Sequence, residues 1–218
     1  MAQAQQLEMR LATWGGRRAG AGRKPTGRAG VRHGRRDAPQ GRFPAHVTLK
    51  MKRHVWNLRR GRCFGVVSTA LQRGCDRFGT RVVEFSVQGD HIHLIVEAED
   101  ARAMRRAIGG IEVRIARGLN RAMGAAGPVF ADRYHSRLLR TPREVRNALH
   151  YVLNNARKHQ RRISWRWIDP FSSGAWFDGW IDRNPRPGSP LPRARTWLLA
   201  RGWRRRGLLE TGSVPAGP

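Results

Sequence analysis

Apolar and polar residues alternate in short stretches that begin after residue 43. In AHVTLKM, residues 45–51, every second residue is apolar, which is the period of a half-buried strand. RVVEFSV, residues 81–87, alternates through Val83, Phe85 and Val87. The turn-forming QGD follows, and HIHLIVE, residues 91–97, resumes as an apolar strand, so these two stretches predict a hairpin. RYHSRLL, residues 133–139, predicts a fourth strand.

Apolar residues at helical spacing predict three helices. The first helix lies in residues 63–79, with Val67, Leu71, Cys75 and Phe78 on one face and Gly79 as its C-terminal stop. A long second helix carries an apolar stripe from Met104 to Leu119 and arginines on its other face. The third, in residues 141–159, opens with the Thr141 and Glu144 pattern of a capping box.

The order β-α-β-β-α-β predicts an α+β protein with a ferredoxin-like fold, in which helices cover one face of an antiparallel sheet. We expect the other sheet face to be free for a ligand. The third helix and an extension follow this core. Composition divides the chain into a basic arm, residues 1–42, a core, residues 43–160, and a tryptophan- and arginine-rich extension, residues 161–218. We expect aromatic side chains to pack the extension onto the core.

The charge of the chain favours nucleic acid as its partner. Lys and Arg number 43 against 15 Asp and Glu, a formal net charge of +28. A membrane-surface or ribosomal protein is the alternative, but no apolar stretch approaches the length that spans a bilayer. The N-terminus also lacks the apolar region of a signal peptide. These features predict a cytoplasmic protein that associates with the bacterial nucleoid and not with a membrane.

The glycine- and arginine-rich arm has too few apolar residues to form a packed core. We expect it to be disordered until it contacts phosphates. The alternative is that the arm only increases solubility. Candidate nucleic-acid contacts in the arm are Arg17, Arg18, Arg23 and Lys24.

Two histidines at the start of the third strand are candidates for metal binding. Residues two apart on a strand point to the same face, so His91 and His93 present their imidazoles together. Two neutral imidazoles are half of a divalent metal site. An isolated His-x-His pair is nevertheless more often an ordinary half-buried pair. The pair therefore needs support from other residues.

The third predicted helix supplies that support on its polar face. Tyr151 and Asn155 are one turn apart and face the same way, although a tyrosine by itself is more often a packing residue. A metal site, a polyanion-binding surface and a hydroxyl nucleophile are together the requirements of phosphodiester cleavage.

The run VQGDHIHLIVE, followed by PVFADRYHSRLLRTPREVRNALHYVLNNARKH, resembles the single-tyrosine HUH transposases of insertion sequences, including those associated with repetitive extragenic palindromes. The resemblance covers residues 43–160. It implies that His91, His93 and Asn155 bind Mg²⁺ or Mn²⁺, and that Tyr151 attacks single-stranded DNA containing hairpins. The products would be a 5′-phosphotyrosine and a free 3′-OH. Relatives act as monomers or homodimers.

Several expectations lie outside this central set. We interpret Arg133, Arg137 and Lys158 as DNA contacts and Asp90 as a turn residue. The family often has Asn-Pro where this chain has Asn155 and Ala156. Two other functions fit the sequence: a domesticated DNA- or RNA-binding protein that keeps the fold without cleavage, and a replication-initiating or plasmid-nicking enzyme with the same chemistry.

Overall fold

The computed structural model describes residues 39–158 and 164–215. The basic arm before residue 39, with Arg17, Arg18, Arg23 and Lys24, lies outside them. No helix in the described ranges combines the length and apolar character needed to cross a membrane. The elements are β1 Ala45–Lys50, α1 Gly61–Gly74, β2 Asp76–Arg77, β3 Thr80–Val87, β4 His91–Ala98, α2 Ala101–Met123, β5 His135–Leu138, α3 Pro142–Asn154 and α4 Trp197–Ala200.

The five strands form one antiparallel sheet in the order β2-β3-β4-β1-β5. Without the short β2 this is the strand order of a split βαβ fold, so the predicted ferredoxin-like α+β class is confirmed. Helices α1 and α2 cover one sheet face. The core beneath them buries Leu49 and Leu94 of the sheet together with Ile108 and Ile115 of α2.

The first helix ends earlier than its apolar spacing predicts. It stops at Gly74, and the next residues form β2, which pairs with β3. Phe78 and Gly79 connect these strands with φ angles of 56° and 71°, the geometry of a two-residue hairpin turn. Gly79 is therefore a hairpin residue, and the prediction that it ends the helix is wrong.

Helices α1 and α2 approach closely at Gly74, because a side chain there would come within 2.7 Å of Ile111 Cγ1.

A bulge in β3 changes which valine faces the main core. Val82 pairs with Val96 and Glu84 pairs with Ile95, which leaves Val83 as an extra residue between them. Val83 consequently packs on the opposite sheet face, whereas Val82 packs under α1 and α2. Strict alternation predicted the reverse, because an inserted residue reverses the facing of every position before it.

The second sheet face is largely covered, contrary to the expectation that it is free. Val83 and Ile95 pack there against α3 residues such as Leu149 and against Trp180 and Trp203 of the extension. The prediction that aromatic anchors hold the extension on the core is confirmed by these two buried tryptophans. The histidines of β1 and β4 lie on the same face outside this apolar packing, where His91 is half-buried and His93 is buried.

Helix α3 is fastened at both ends. Thr141 and Glu144 form the predicted capping box at its start. Along its length, α3 is bonded to residues 207–213, which we call the clamp segment. Hydrogen bonds run from Arg146 to the carbonyls of Gly207 and Leu208, between His150 and Ser213, and from Asn154 to the carbonyl of Glu210.

Candidate active site

Strands β1 and β4 bring a polar cluster to the second sheet face, beside the apolar packing of Val83 and Ile95. Thr48 pairs with His93 and Lys50 with His91 in the antiparallel register, so these side chains share a face. The rings of His91 and His93 lie 4.7 Å apart between centroids. Their apolar neighbours Ile92 and Leu94 point to the other face and are fully buried. The alternation in HIHLIVE thus produces the expected histidine pair.

Helix α3 brings its tyrosine to this pair. The Tyr151 ring centroid lies 5.2 Å from that of His93 and 5.8 Å from that of His46. Asn155 follows one turn later, with φ −57° and ψ −37°, and begins a 3-10 turn, Asn155–Lys158. Lys158 Nζ lies 4.6 Å from the centroid of the tyrosine ring. All these side chains come from the same chain.

Hydrogen bonds at the Nδ1 atoms orient both imidazoles of the pair. His91 Nδ1 lies 2.7 Å from Asp90 Oδ1. His93 Nδ1 lies 3.1 Å from His46 Nε2 and 3.2 Å from Thr48 Oγ1. The Asp90 carboxylate can only accept, so its bond holds the His91 proton on Nδ1 and leaves the Nε2 lone pair for another partner. His93 is in the same state when its Nδ1 donates to Thr48 or His46, as in metal-binding histidines whose second nitrogen is fixed by a carboxylate or hydroxyl.

His93 Nε2 and Asn155 Nδ2, one turn after Tyr151, are buried and have no partner within the described part of the chain. Buried polar groups normally form hydrogen bonds, so both atoms can accept a further partner. Rotating the Asn155 amide exchanges its oxygen and nitrogen, so this group can present an acceptor to a cation or a donor to a phosphate. The donor set thus fits a divalent cation beside a phosphate.

Burial sets the protonation of the cluster. The pKa of His93 is lowered to about 2, by burial first and then by His46, His91 and Lys158. The pKa of His46 is lowered to about 4, by burial and then by His135 and Arg137. Both rings are therefore neutral at neutral pH, which is the form that binds metals. Burial also raises the pKa of Tyr151, so its phenol is protonated in the absence of substrate.

Within the described residues, no three His, Cys, Asp or Glu side chains are arranged to hold a metal ion. The ligands expected from the sequence are two imidazoles and the Asn155 amide. These ligands are neutral, so a bound cation would keep its full charge for a phosphate.

The remaining predicted contacts lie at different distances from the cluster. Arg137 pairs with His46 across β1 and β5, so it borders the cluster, and it forms a 3.3 Å ion pair with Glu144. Arg133 is exposed just before β5. Sequence reasoning did not single out Thr48 as a partner of His93. The polar face of AHVTLKM carried that signal, because it places Thr48 between His46 and Lys50.

Comparisons with known proteins support the fold and the family. The family model described as "Transposase IS200 like" matches residues 43–155, just over half of the chain. A solved structure of a REP-associated tyrosine transposase bound to a REP hairpin has a TM-score of 0.53 with 16% sequence identity, over 66% of this chain and 82% of that chain. At this identity the structural match shows a shared fold. None of the curated proteins matches the chain.

Proposed function

The chain belongs to the IS200-like transposase family, and on that basis we propose that it cleaves and rejoins single-stranded DNA containing hairpins, with Tyr151 as the nucleophile. The observation that carries the proposal is the 5.2 Å approach of Tyr151 to His93, whose ring lies 4.7 Å from that of His91, with the unpartnered Asn155 amide one turn further along the chain. A protein that only binds DNA has no chemical need for this combination. The hairpin substrate is proposed by analogy with the structural neighbour, which is bound to a REP hairpin.

The proposed reaction exchanges one phosphodiester for another. Tyr151 Oη attacks the scissile phosphorus as its phenolic proton leaves, and the bond from phosphorus to the 3′-oxygen breaks. The 3′-oxygen takes up a proton and leaves as a 3′-OH, while the 5′-phosphate remains on Tyr151. Rejoining is the same exchange in reverse with a second 3′-OH. A phenolate is a better leaving group than an alkoxide, which favours reversal.

Residues around Tyr151 support this exchange electrostatically. The Lys158 ammonium beside the ring would place positive charge next to the phosphate that Tyr151 attacks. His91, His93 and Asn155 would hold Mg²⁺ or Mn²⁺, which supplies positive charge at the phosphate when bound. Asp90 and Thr48 would act indirectly, because their hydrogen bonds hold the His91 and His93 imidazoles in position.

A covalent-adduct experiment tests the nucleophile. The protein is incubated with labelled single-stranded hairpin oligonucleotides and Mg²⁺ or Mn²⁺, and adducts are separated on a denaturing gel. The wild type should form an adduct, and Tyr151→Phe should form none. The chain has only two tyrosines, so Tyr134→Phe, which removes the same hydroxyl from a core residue, is the matched control and should keep the adduct.

Two results would contradict the nucleophile assignment. One is an adduct of undiminished yield with Tyr151→Phe. The other is the absence of an adduct with the wild type across a broad hairpin library, which would favour the non-cleaving DNA- or RNA-binding protein.

The metal assignment has its own test. His91→Ala and His93→Ala should lose cleavage while keeping most of the salt-sensitive DNA binding, because that binding comes from Lys and Arg. Independently of activity, Mn²⁺ should broaden the ring proton resonances of His91 and His93 in the NMR spectrum of the DNA complex. Unchanged histidine resonances, or cleavage that survives both alanine substitutions, would contradict this metal site.

A further inference from the structure

A second cleft lies beside the N-terminal end of α3, away from the histidine cluster. It is a shallow groove, wide open to solvent, with a volume of about 770 Å³. Its walls come from the residues before β1, from β3, from the start of α3 and from the extension. The lining residues that bear charge or an aromatic ring are Arg42, Phe43, Arg81, Arg140, Arg195 and Trp197.

The charge of this cleft selects anions. Four arginines line it, and no acidic residue belongs to its described lining. Glu97 lies behind the wall, is 1% exposed and forms a 3.0 Å ion pair with Arg81. The Glu144 carboxylate also lies close by, where it accepts the Arg140 backbone N–H. With four arginines the described lining is still basic, an arrangement that attracts phosphates.

Glu97 also holds the backbone segment that leads to Trp197. Its carboxylate accepts hydrogen bonds from the backbone N–H groups of Arg195 and Thr196 and from the Thr196 hydroxyl. These bonds fix the segment that leads into α4, whose first residue is Trp197. The position of the Trp197 ring is thus determined by a buried charged group of the sheet.

The Trp197 ring is exposed and rigidly supported. It is 50% exposed, unlike the buried Trp180 and Trp203 of the same extension. A Cβ at Gly202 would come within 2.6 Å of its Cζ3 atom, so the ring rests against that glycine. The Arg205 guanidinium lies over the ring, 5.1 Å from its centroid. A nucleic acid base would replace this guanidinium on the indole or stack on the part of the ring that remains exposed.

We propose that this cleft binds a single-stranded segment flanking the DNA hairpin, with a base stacked on Trp197 and phosphates held by Arg42, Arg140 and Arg195. The proposal rests on the proposed function, because it assumes a single-stranded DNA substrate. An acidic peptide would satisfy the arginines but has no base to stack on the indole. The cleft is formed jointly by the core and the extension, so this chain's extension would take part in choosing its DNA.

The separation between the cleft and Tyr151 fits one continuous strand. Pro142 lines the cleft and Tyr151 lies nine residues later on the same helix, which corresponds to about 14 Å along the axis. About four stacked nucleotides span that distance at 3.4 Å each. A strand of about this length can therefore reach from Tyr151 to the edge of the cleft at Pro142.

Equilibrium binding in the non-cleaving Tyr151→Phe background tests the proposal. The probes are a blunt GC-rich hairpin and the same hairpin with a short oligothymidine flank on its 5′ or 3′ side. Fluorescence anisotropy measures the binding of each probe. Adding Trp197→Ala should weaken binding of one flanked probe about ten-fold and leave the blunt probe unchanged. Trp197→Phe should restore most of the loss. Arg195→Ala should reduce the salt dependence of flanked binding by about one counterion.

Trp165→Ala is the matched control, because Trp165 is also exposed and lies beside an arginine, Arg166, but does not line the cleft. It should leave the flank effect intact. Equal losses in Trp165→Ala and Trp197→Ala, equal losses for blunt and flanked probes, or no loss with Trp197→Ala would overturn the proposal. The proposal would also be overturned if polyglutamate competed for binding as well as oligothymidine of equal charge, since stacking would then contribute nothing.

A second measurement avoids dependence on the folding of a variant. A flank containing 5-bromodeoxyuridine is photo-crosslinked to the otherwise unmodified protein, and the crosslinked peptide should contain Trp197 or Phe43. Crosslinks confined to other regions would contradict the cleft. A flank effect without any Tyr151 adduct would retain the cleft and reject cleavage, whereas an adduct without a flank effect would do the opposite.

Discussion

Replacing Glu84 with glutamine should remove a pH dependence from the stability of the fold. Glu84 lies at the bulge of β3, where it is 9% exposed and contacts Ser173 of the extension. The Ser173 hydroxyl accepts the Phe85 N–H at 2.8 Å and lies 3.1 Å from the Phe85 carbonyl. A protonated Glu84 can donate to Ser173 while that hydroxyl donates to Phe85, so the neutral acid completes the pairing.

The magnitude follows from the pKa of this carboxyl. Burial raises the pKa of Glu84 from the usual 4.5 to about 8. Between these values the folded state binds more protons than the unfolded state, so stability is highest below about pH 4.5 and falls as the pH rises toward 8. Each pH unit well inside the window costs about 1.4 kcal/mol. From about pH 5.5 to about pH 8.5 the wild type should lose up to about 3 kcal/mol through this group.

Urea unfolding of wild type and Glu84→Gln across that pH range measures the difference. The free energy of unfolding of the wild type should fall relative to that of the variant by up to about 3 kcal/mol. This change is independent of any difference in stability between the two proteins at low pH. Glu99→Gln, which alters an exposed carboxyl, should parallel the wild type. If Glu84→Gln and wild type show parallel pH profiles, the pKa of the Glu84 carboxyl is not raised in the folded protein.

Three further substitutions test the packing around the site by urea unfolding. Thr141→Ala removes the side-chain acceptor of the α3 capping box and should cost about 1 kcal/mol, whereas Thr141→Ser should cost much less. Glu97→Ala leaves the Arg81 guanidinium without its buried ion-pair partner and should cost about 3–5 kcal/mol; a loss below 1 kcal/mol would mean that water replaces the carboxylate. Gly74→Ala forces a methyl group to within 2.7 Å of Ile111 Cγ1 and should cost about 1–3 kcal/mol; in the double variant with Ile111→Ala, which removes Cγ1, the loss should be smaller than the sum of the two single losses.

The main elements of the fold were predictable because their apolar periods agree with how they pack. The stripe from Met104 to Leu119 is buried in α2, and the alternation in HIHLIVE separates the histidines from Ile92 and Leu94. Prediction failed where one residue changes the period. The bulge at Val83 and the turn at Phe78 and Gly79 depend on how strands pair, which a local apolar pattern does not encode.

The candidate site shows the same limit at the level of side chains. Spacing and family resemblance sufficed to select His91, His93, Tyr151 and Asn155. The groups that orient the imidazoles were not predictable in the same way, because the contact of His93 with Thr48 joins residues 45 positions apart. The coverage of the second sheet face was also missed, because a local apolar pattern does not show on which face of the sheet α3 and the extension pack.

The bonds between α3 and the clamp segment have a consequence for strand exchange. Moving Tyr151 toward another molecule would break the hydrogen bonds of Arg146, His150 and Asn154 with residues 207–213. Under the proposed chemistry the phosphotyrosine therefore stays in place, and the DNA has to move: one 3′ end departs and another arrives at the same phosphate. The rate of rejoining would then depend on how quickly DNA ends are exchanged on a stationary nucleophile, and not on a swing of the protein.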